Sequence, residues 1–415
     1  MVSQRIVADL HLHSRYSMAT SRALDLSSLA EAAERKGVQL LSAADFTHPE
    51  WRRELGEKLI GDGSGMFRLK GASRRSPSFI LGTEISCVWR DPPVSGRGRR
   101  VHLLLIAPDL VAVDALIARF GPHGALGSDG RPLLKLSAHD VADLVFDADE
   151  HCEIIPAHVW TPWYGVYGSK SGFDSLEEAF GEHAGRIHAI ETGLSSDPGM
   201  NWGVPELEER ALVSFSDAHS AANVGREVTV FEMEPTYDGL IHAIASQSIA
   251  ETIEFFPENG KYHLDGHRAC GVRLTPAESA AADGICPVCG KKLTLGVLNR
   301  IESLSDSESE SPIANNGLVA GPASRPPFRR LVPLRDLVAA TLGFGTNSKT
   351  VGRAIDSLIE HCGSELVALI EADPTELQGA AGDEVAAAIV AVRRGDLEIE
   401  PGYDGLYGMV APKTG

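Results

Sequence analysis

The chain has 415 residues, of which 43% are apolar and 23% charged, a balance that fits two or three globular domains and excludes a disordered or fibrous protein. Its 38 basic and 57 acidic residues sum to a formal charge of -19, which excludes a surface coated in positive charge for unspecific nucleic-acid binding and leaves only local basic patches. Met1 to Asp9 carries no basic-then-apolar leader, and no apolar run approaches the roughly 18 residues of a membrane span, so a cytoplasmic location is expected.

From residue 5 to about 250, short β-branched or apolar runs alternate with helical patterns such as Leu26 to Lys36 and Val111 to Phe120. The runs are Arg5 to Ala8, Val38 to Leu41, Phe79 to Leu81, Val101 to Ile106, Ile154-Ile155, Ile187 to Ile190 and Leu212 to Phe215. This rhythm predicts a parallel sheet wrapped by helices, and seven strands in one α/β domain (residues 1–250) favour a barrel over an open sheet. Residues 251–302 are glycine-punctuated and hold three clustered cysteines, which predicts a small metal-binding domain. Residues 303–327 read as a flexible acidic, serine-rich linker, because Ser305 to Ser311 and the Gly/Pro/Asn residues after it bury too little apolar surface to offset ordering. Residues 328–415 are predicted to form a helical module, with periodicity over Leu331 to Arg394 and Asp373-Pro374-Thr375-Glu376 placing Pro at a helix start and Glu in its first turn.

The histidines and carboxylates follow the strands. Asp9-Leu10-His11-Leu12-His13 extends from the first strand, where alternate residues project to one side, so both imidazoles reach one ion. Asp45 and His48 follow the second strand, Glu84 the third, His158 the fifth, Glu191 the sixth, and Asp217 with His219 the last, while His102 lies inside the fourth, from which it could point inward. A lone His-x-His is common on surfaces and at helix ends. Ten such residues at strand ends are different, because buried imidazoles and carboxylates grouped together must be paired or metallated to avoid large desolvation costs. Such a cluster suits phosphoester hydrolysis, and its mixed donors suit zinc or manganese more than calcium.

A second site lies in residues 251–302. His267-Arg268-Ala269-Cys270 and Cys286-Pro287-Val288-Cys289 are two ligand pairs, each with a two-residue gap, which is the spacing of a tetrahedral structural zinc. His263 is a rival fourth ligand to His267.

The order His11-x-His13, Asp45 and His48, Glu84, His102, His158 and Asp217-x-His219 resembles the polymerase and histidinol phosphatase (PHP) superfamily of distorted seven-stranded α/β barrels. That resemblance implies one ion on His11, His13, Glu84 and Asp217, a second on Glu84, His102 and His158, and His219 helping to hold a third. Ala19 stands where the superfamily has a histidine, and Asp45-Phe46-Thr47-His48 replaces an adjacent Asp-His pair, so two or three divalent ions (Zn2+, Mn2+ or Mg2+) remain open. With Asp9 to Ser17, Asp45 to Trp51, the His-Cys-Cys-Cys site and the ending Pro401 to Gly408 added, nearly the whole chain resembles the endonuclease Q family. This implies a DNA-repair endonuclease that cuts 5′ of deaminated bases (hypoxanthine, uracil, xanthine) and abasic sites, with Asp217, Glu84, His219 and Asp45 carrying catalysis.

The residues themselves supply some DNA-facing chemistry. Arg90, Arg97, Arg99 and Arg100 border the strand of His102, and Arg68, Lys70, Arg74 and Arg75 precede that of Glu84; both runs are expected to flank the metal face and neutralise phosphates, unless they are merely solvated loops. Trp160, Trp163 and Tyr164 follow His158 and are candidates to stack an extruded base, with core packing as the alternative. Arg15 and Tyr16 are candidates for substrate phosphate, and Gly343 to Gly345 and Gly379 to Gly382 for backbone grip in the helical module. Two other functions compete: a phosphatase for a small phosphomonoester, which needs only the barrel, and a non-catalytic DNA-binding scaffold.

Overall fold

The computed structural model describes residues 3–73, 75–90, 98–306, 317–322 and 325–413; Arg74, Arg97 and the expected linker's residues 307–316 and 323–324 lie outside the described residues. All seven expected runs contain strands: β1 (Gln4–Asp9), β2 (Leu40–Ser42), β3 (Ser78–Arg90), β4 (Gly98–Ala107), β5 (Glu153–Pro156), β6 (Ala189–Glu191) and β7 (Ala211–Val213). Three further strands, β8 (Val228–Met233), β9 (Ile249–Glu254) and β10 (Phe328–Arg330), extend the sheet beyond β1.

The fold is mixed α/β, and its sheet is not the parallel one expected. β1, β2 and β3 are parallel neighbours, with Asp9 opposite Leu41 and Leu40 opposite Ser78. β3 then pairs antiparallel with β4, β4 with β5, and β1 with β8. Connection length explains the first reversal. β3 and β4 run on to Arg90 and back from Gly98, leaving only residues 91–97 between them, whereas a parallel crossover needs a dozen or more residues. β6 and β7 form a separate parallel ladder, with Glu191 opposite Val213.

Local chemistry defines the helices that pack on this sheet. Leu26–Lys36 starts at a capping box formed by Asp25 and Ser28, buries Leu26, Leu29, Ala30 and Ala33, and ends at Gly37, whose φ of +91° favours glycine. Gly37 is also a close approach: a Cβ there would lie 2.6 Å from Ser364 Oγ. Ser364 caps the helix Glu365–Ile370, and beside it Lys36 Nζ meets Glu365 Oε2 at 2.7 Å with both side chains largely buried. The C-terminal helices Leu334–Leu342, Lys349–Cys362, Glu365–Ile370, Pro374–Ala381 and Asp383–Arg394 are therefore tied to the first helix through a buried ion pair.

Part of the expected linker is ordered. The helix Val297–Leu304 runs into it, and Leu318–Val319 forms a strand that pairs with β10, which in turn lies parallel to β9.

Beside β9 the interior holds two carboxyls. Glu227 and Glu254 are both fully buried, and burial drives both upward, Glu254 to about 8 despite hydrogen bonds from Thr252, Ser214 and Thr192. An acid whose folded pKa is raised keeps its proton in the native state after the unfolded chain has lost its own. Stability therefore falls as pH rises from the ordinary value of 4.5 to about 8. Glu254→Gln removes this dependence, so urea unfolding should show the variant gaining on the wild type by on the order of a few kcal/mol between about pH 5 and pH 8. Parallel pH profiles for the two proteins would mean that Glu254 is not held protonated.

Candidate active site and cysteine cluster

Just after β1, within β3 and β4, and just after β5 and β7 the chain brings six donors into two groups that share one carboxylate. His11, His13, Glu84 and Asp217 each offer a donor atom within 4.8 Å of the others, and so do Glu84, His102 and His158. His11, His13 and Glu84 are completely buried. His13 Nε2 lies 3.0 Å from Asp217 Oδ1, and His102 Nδ1 lies 2.7 Å from Glu84 Oε1. Register explains the sharing. Ser86 faces His102 across β3 and β4, so Glu84 and His102 point to the same face two residues apart along the ladder.

The ligand-bearing backbone is strained. Asp45, His158 and Asp217 have φ of 39°, 32° and 47°, in the left-handed region that non-glycine residues avoid. Such conformations cost of order 1–3 kcal/mol each and persist only where surrounding bonds hold them. Those bonds are present. Asp9, buried at the end of β1, accepts from the amides of Ser216 (3.0 Å) and Gly225 (2.8 Å), which fixes the turn carrying Asp217. Glu191 accepts from the His158 amide at 2.8 Å.

Four expected ligands, Glu191, Asp45, His48 and His219, stand outside the two donor groups, and all but His48 touch a donor residue. Glu191 lies 2.9 and 3.0 Å from His11 Nδ1 and so orients that ring. Asp45 lies 3.4 Å from His13 Nδ1 and accepts from the Ser14 amide at 2.6 Å and the Ser17 hydroxyl at 2.8 Å. His48 stacks on Tyr16 with ring centroids 4.2 Å apart. His219 packs on His13 at 4.4 Å, and its Nδ1 lies 2.9 Å from the Asp217 carbonyl, so Nδ1 carries the proton and Nε2 keeps a lone pair.

Electrostatics follow from burial. Burial alone would raise the Glu84 carboxyl, but His102, His11 and Arg131 hold it well below the usual carboxylate range. Asp217 is likewise held low by His11 and His13 against burial. Burial disfavours charge on His11 and His13, yet the facing carboxylates raise both well above the ordinary imidazole value. His102 goes the other way, pushed down to about 4 by burial. Among the described residues His11 Nε2 is buried without a hydrogen-bond partner, an orphan that a cation in this donor set would satisfy. Four imidazoles and two carboxylates thus fit divalent ions of the zinc or manganese kind.

Arg131 was not anticipated: its Nη1 donates to Glu84 Oε2 at 3.0 Å, beside both donor groups. Its neighbour Gly130 is the legible part of that loop, because a Cβ there would lie 2.2 Å from Asp45 Oδ2. Only the lack of a side chain lets the loop close over the site.

The substrate candidates separate. Trp160 is buried and donates its indole N–H to Asn201 Oδ1 at 2.7 Å, which makes it core rather than a stacking surface. Tyr164 lies against the His102 ring at 4.3 Å, and Trp163 is exposed, edge-on to Tyr262 at 5.8 Å. Arg15 Nη2 donates to Glu54 at 2.5 Å and Tyr16 Oη to the same carboxylate at 3.0 Å. The two basic runs lie at opposite ends of β3. Arg99 and Arg100 pair with Trp89 and Val88 at the far end of β3. Arg68 belongs to a strand (Phe67–Leu69) whose Phe67 pairs with Phe79 at the beginning of β3, and Arg68 and Lys70 donate to backbone carbonyls nearby.

In residues 251–302, His267, Cys270, Cys286 and Cys289 form one donor group, whereas His263 is buried apart from it. Each pair ends in a left-handed glycine, Gly271 (φ 66°) and Gly290 (φ 71°), which turns the chain back so that both members face one point. His267 lies in the hairpin Asp265–His267/Val272–Leu274. The C-terminal segment closes over that hairpin. Asp404 accepts from the Arg268 amide at 2.7 Å, and a Cβ on Gly266 would meet Tyr403 at 2.4 Å. Three thiols and an imidazole at this spacing fit a structural zinc with no open position. Metal analysis of Cys286→Ser should find one zinc fewer per chain than in the wild type; equal zinc content would refute this site.

The family model of the MJ0043 C-terminal domain matches residues 333–396. Protein MJ0043 of Methanocaldococcus jannaschii, uncharacterized, is 32% identical over 262 residues; the match takes in 61% of this chain and 31% of that protein, so the chain spans less than a third of that relative. Protein YqxK of Bacillus subtilis, also uncharacterized, is 30% identical over 99% of this chain and 100% of its own length. Two solved structures match almost throughout. PfuEndoQ from Pyrococcus furiosus, described as a novel lesion-specific endonuclease, has a TM-score of 0.84 and 31% identity over 99% of this chain and 96% of that one. Endonuclease Q in complex with a 27-mer duplex bearing an abasic lesion at the active site has a TM-score of 0.83 and 32% identity, covering 99% and 97%.

Proposed function

This chain belongs to the endonuclease Q family, and from that premise we propose that it is a lesion-specific, metal-dependent DNA endonuclease that hydrolyses the phosphodiester 5′ of a deaminated base or an abasic site. The observation that carries the reading is the pair of donor groups joined at Glu84, with His11 Nε2 buried and unpartnered between the facing carboxylates. Divalent ions held there supply a lowered pKa for bound water and a positive field for the charge that develops on phosphate oxygens.

The chain's own residues then have distinct tasks. His11, His13, Glu84 and Asp217 would hold one ion, and Glu84, His102 and His158 another. Glu191 and Asp45 orient the His11 and His13 rings, and His219, neutral with Nε2 unprotonated, is placed to take a proton or join a third ion. Arg131 adds a fixed positive charge beside Glu84, suited to a backbone phosphate. Tyr164, against His102, and the exposed Trp163 next to it in the chain offer rings for an extruded base. The reading takes residues 1–250 as a distorted barrel, 251–302 as a zinc-binding domain, 303–327 as a linker and 328–415 as a module that grips DNA, in a cytoplasmic enzyme. A small phosphomonoester would leave the cysteine cluster and the helical module without a task.

Glu84→Ala should reduce nicking of hypoxanthine, uracil and abasic oligonucleotides to background while the circular dichroism spectrum stays native; wild-type rates would overturn the proposed centre. Trp163→Ala should slow nicking of hypoxanthine and uracil duplexes about tenfold through loss of a stacking contact, and abasic duplexes least. Equal effects on all three substrates would place base recognition elsewhere.

A further inference from the structure

The described residues hold one more group of metal-type donors, away from both sites above: His139, Asp143 and His183. His139 and Asp143 stand one helical turn apart on the helix Ala138–Ala148, so their side chains rise from one face. His183 comes from the 3-10 turn Gly181–Arg186, where the chain crosses that face. We infer that these three residues form a Zn2+ site on the outer surface that clamps the helix to the turn, independently of the endonuclease reading.

The geometry is that of three converging donors. His183 Nε2 lies 2.6 Å from Asp143 Oδ1, His139 Nδ1 lies 3.5 Å from Asp143 Oδ2, and the imidazole centroids are 5.4 Å apart. One donor atom from each residue falls within 4.8 Å of the others, so modest side-chain rotation brings all three to zinc-ligand distance. Two imidazoles and a carboxylate are the borderline donor set that favours Zn2+ over Mg2+ or Ca2+, and three protein ligands leave a fourth position for water.

The surroundings hold the donors in place. A capping box between Ser137 and Asp140 fixes the first turn of the helix, on which His139 sits. Glu182 Oε2 lies 3.0 Å from His139 Nε2, the nitrogen facing away from Asp143, and so sets the ring orientation and makes Nδ1 the donor. Gly181, with φ of 56°, lets the turn approach so closely that a Cβ would lie 2.9 Å from His139 Cδ2. The clamp joins two connections that matter to the active site, because the helix leads into β5 and His158, and the turn leads into β6 and Glu191.

The test compares the full-length wild type with His139→Ala/His183→Ala, each dialysed to equilibrium against buffered micromolar free Zn2+ and analysed for zinc per chain. The expected result is one zinc fewer in the double variant, with nicking activity unchanged because none of these residues belongs to the active-site donors. Glu182→Gln, which leaves the three donors in place, should weaken the same site about 10–100-fold. Added Zn2+ should also raise the thermal midpoint of the wild type more than that of the double variant. Equal zinc content of wild type and double variant at every zinc concentration would overturn the site and leave these residues as a hydrogen-bonded pair of imidazoles on a shared carboxylate. If the double variant does not fold, unchanged zinc affinity in Glu182→Gln would overturn it instead.

Discussion

The structure turns on the complete burial of Glu84. A carboxylate removed from water must be repaid by positive charge or by metal, or it takes up a proton. Around Glu84 stand His11, His13, His102, His158 and Arg131, drawn from the ends of β1 and β5, the middle of β4 and a loop. No two of these elements are adjacent in sequence except the first pair, so the fold must be complete before the carboxylate is compensated. That dependence accounts for the strained backbone at Asp45, His158 and Asp217, and for the layer of buried carboxylates that hold it.

The same logic separates the residues of the site by role. Those whose donor atoms converge are His11, His13, Glu84, His102, His158 and Asp217. Asp45 and Glu191 belong to the next layer, each fixing one ring nitrogen so that the other is free to bind an ion. Sequence position does not distinguish these layers, because both contain carboxylates that lie within or just after strands.

Away from the centre, the chain attaches its further parts through small buried contacts. Lys36 and Glu365 bring the C-terminal helices against the first helix, with Gly37 and Ser364 in close approach beside them. The final segment, through Tyr403 and Asp404, covers the hairpin that presents His267. The C-terminal residues thus reach both the hairpin that carries His267 and the first helix.

The sequence by itself determined where chemistry would be found. Side chains alternate along an extended strand, so His11-x-His13 after an apolar run already places two imidazoles on one face, and the clustering of Cys270, Cys286 and Cys289 beside two histidines already points to a zinc-type donor set. The seven apolar runs were legible for the same reason. Tertiary structure alone decided strand direction, since β3 and β4 extend beyond their apolar cores and leave no room for a crossover. It alone placed Arg131 against Glu84, buried Trp160, chose His267 over His263 and put the two basic runs at opposite ends of β3. Each of these depends on contacts between residues far apart in the chain, which pattern and spacing within one segment do not encode.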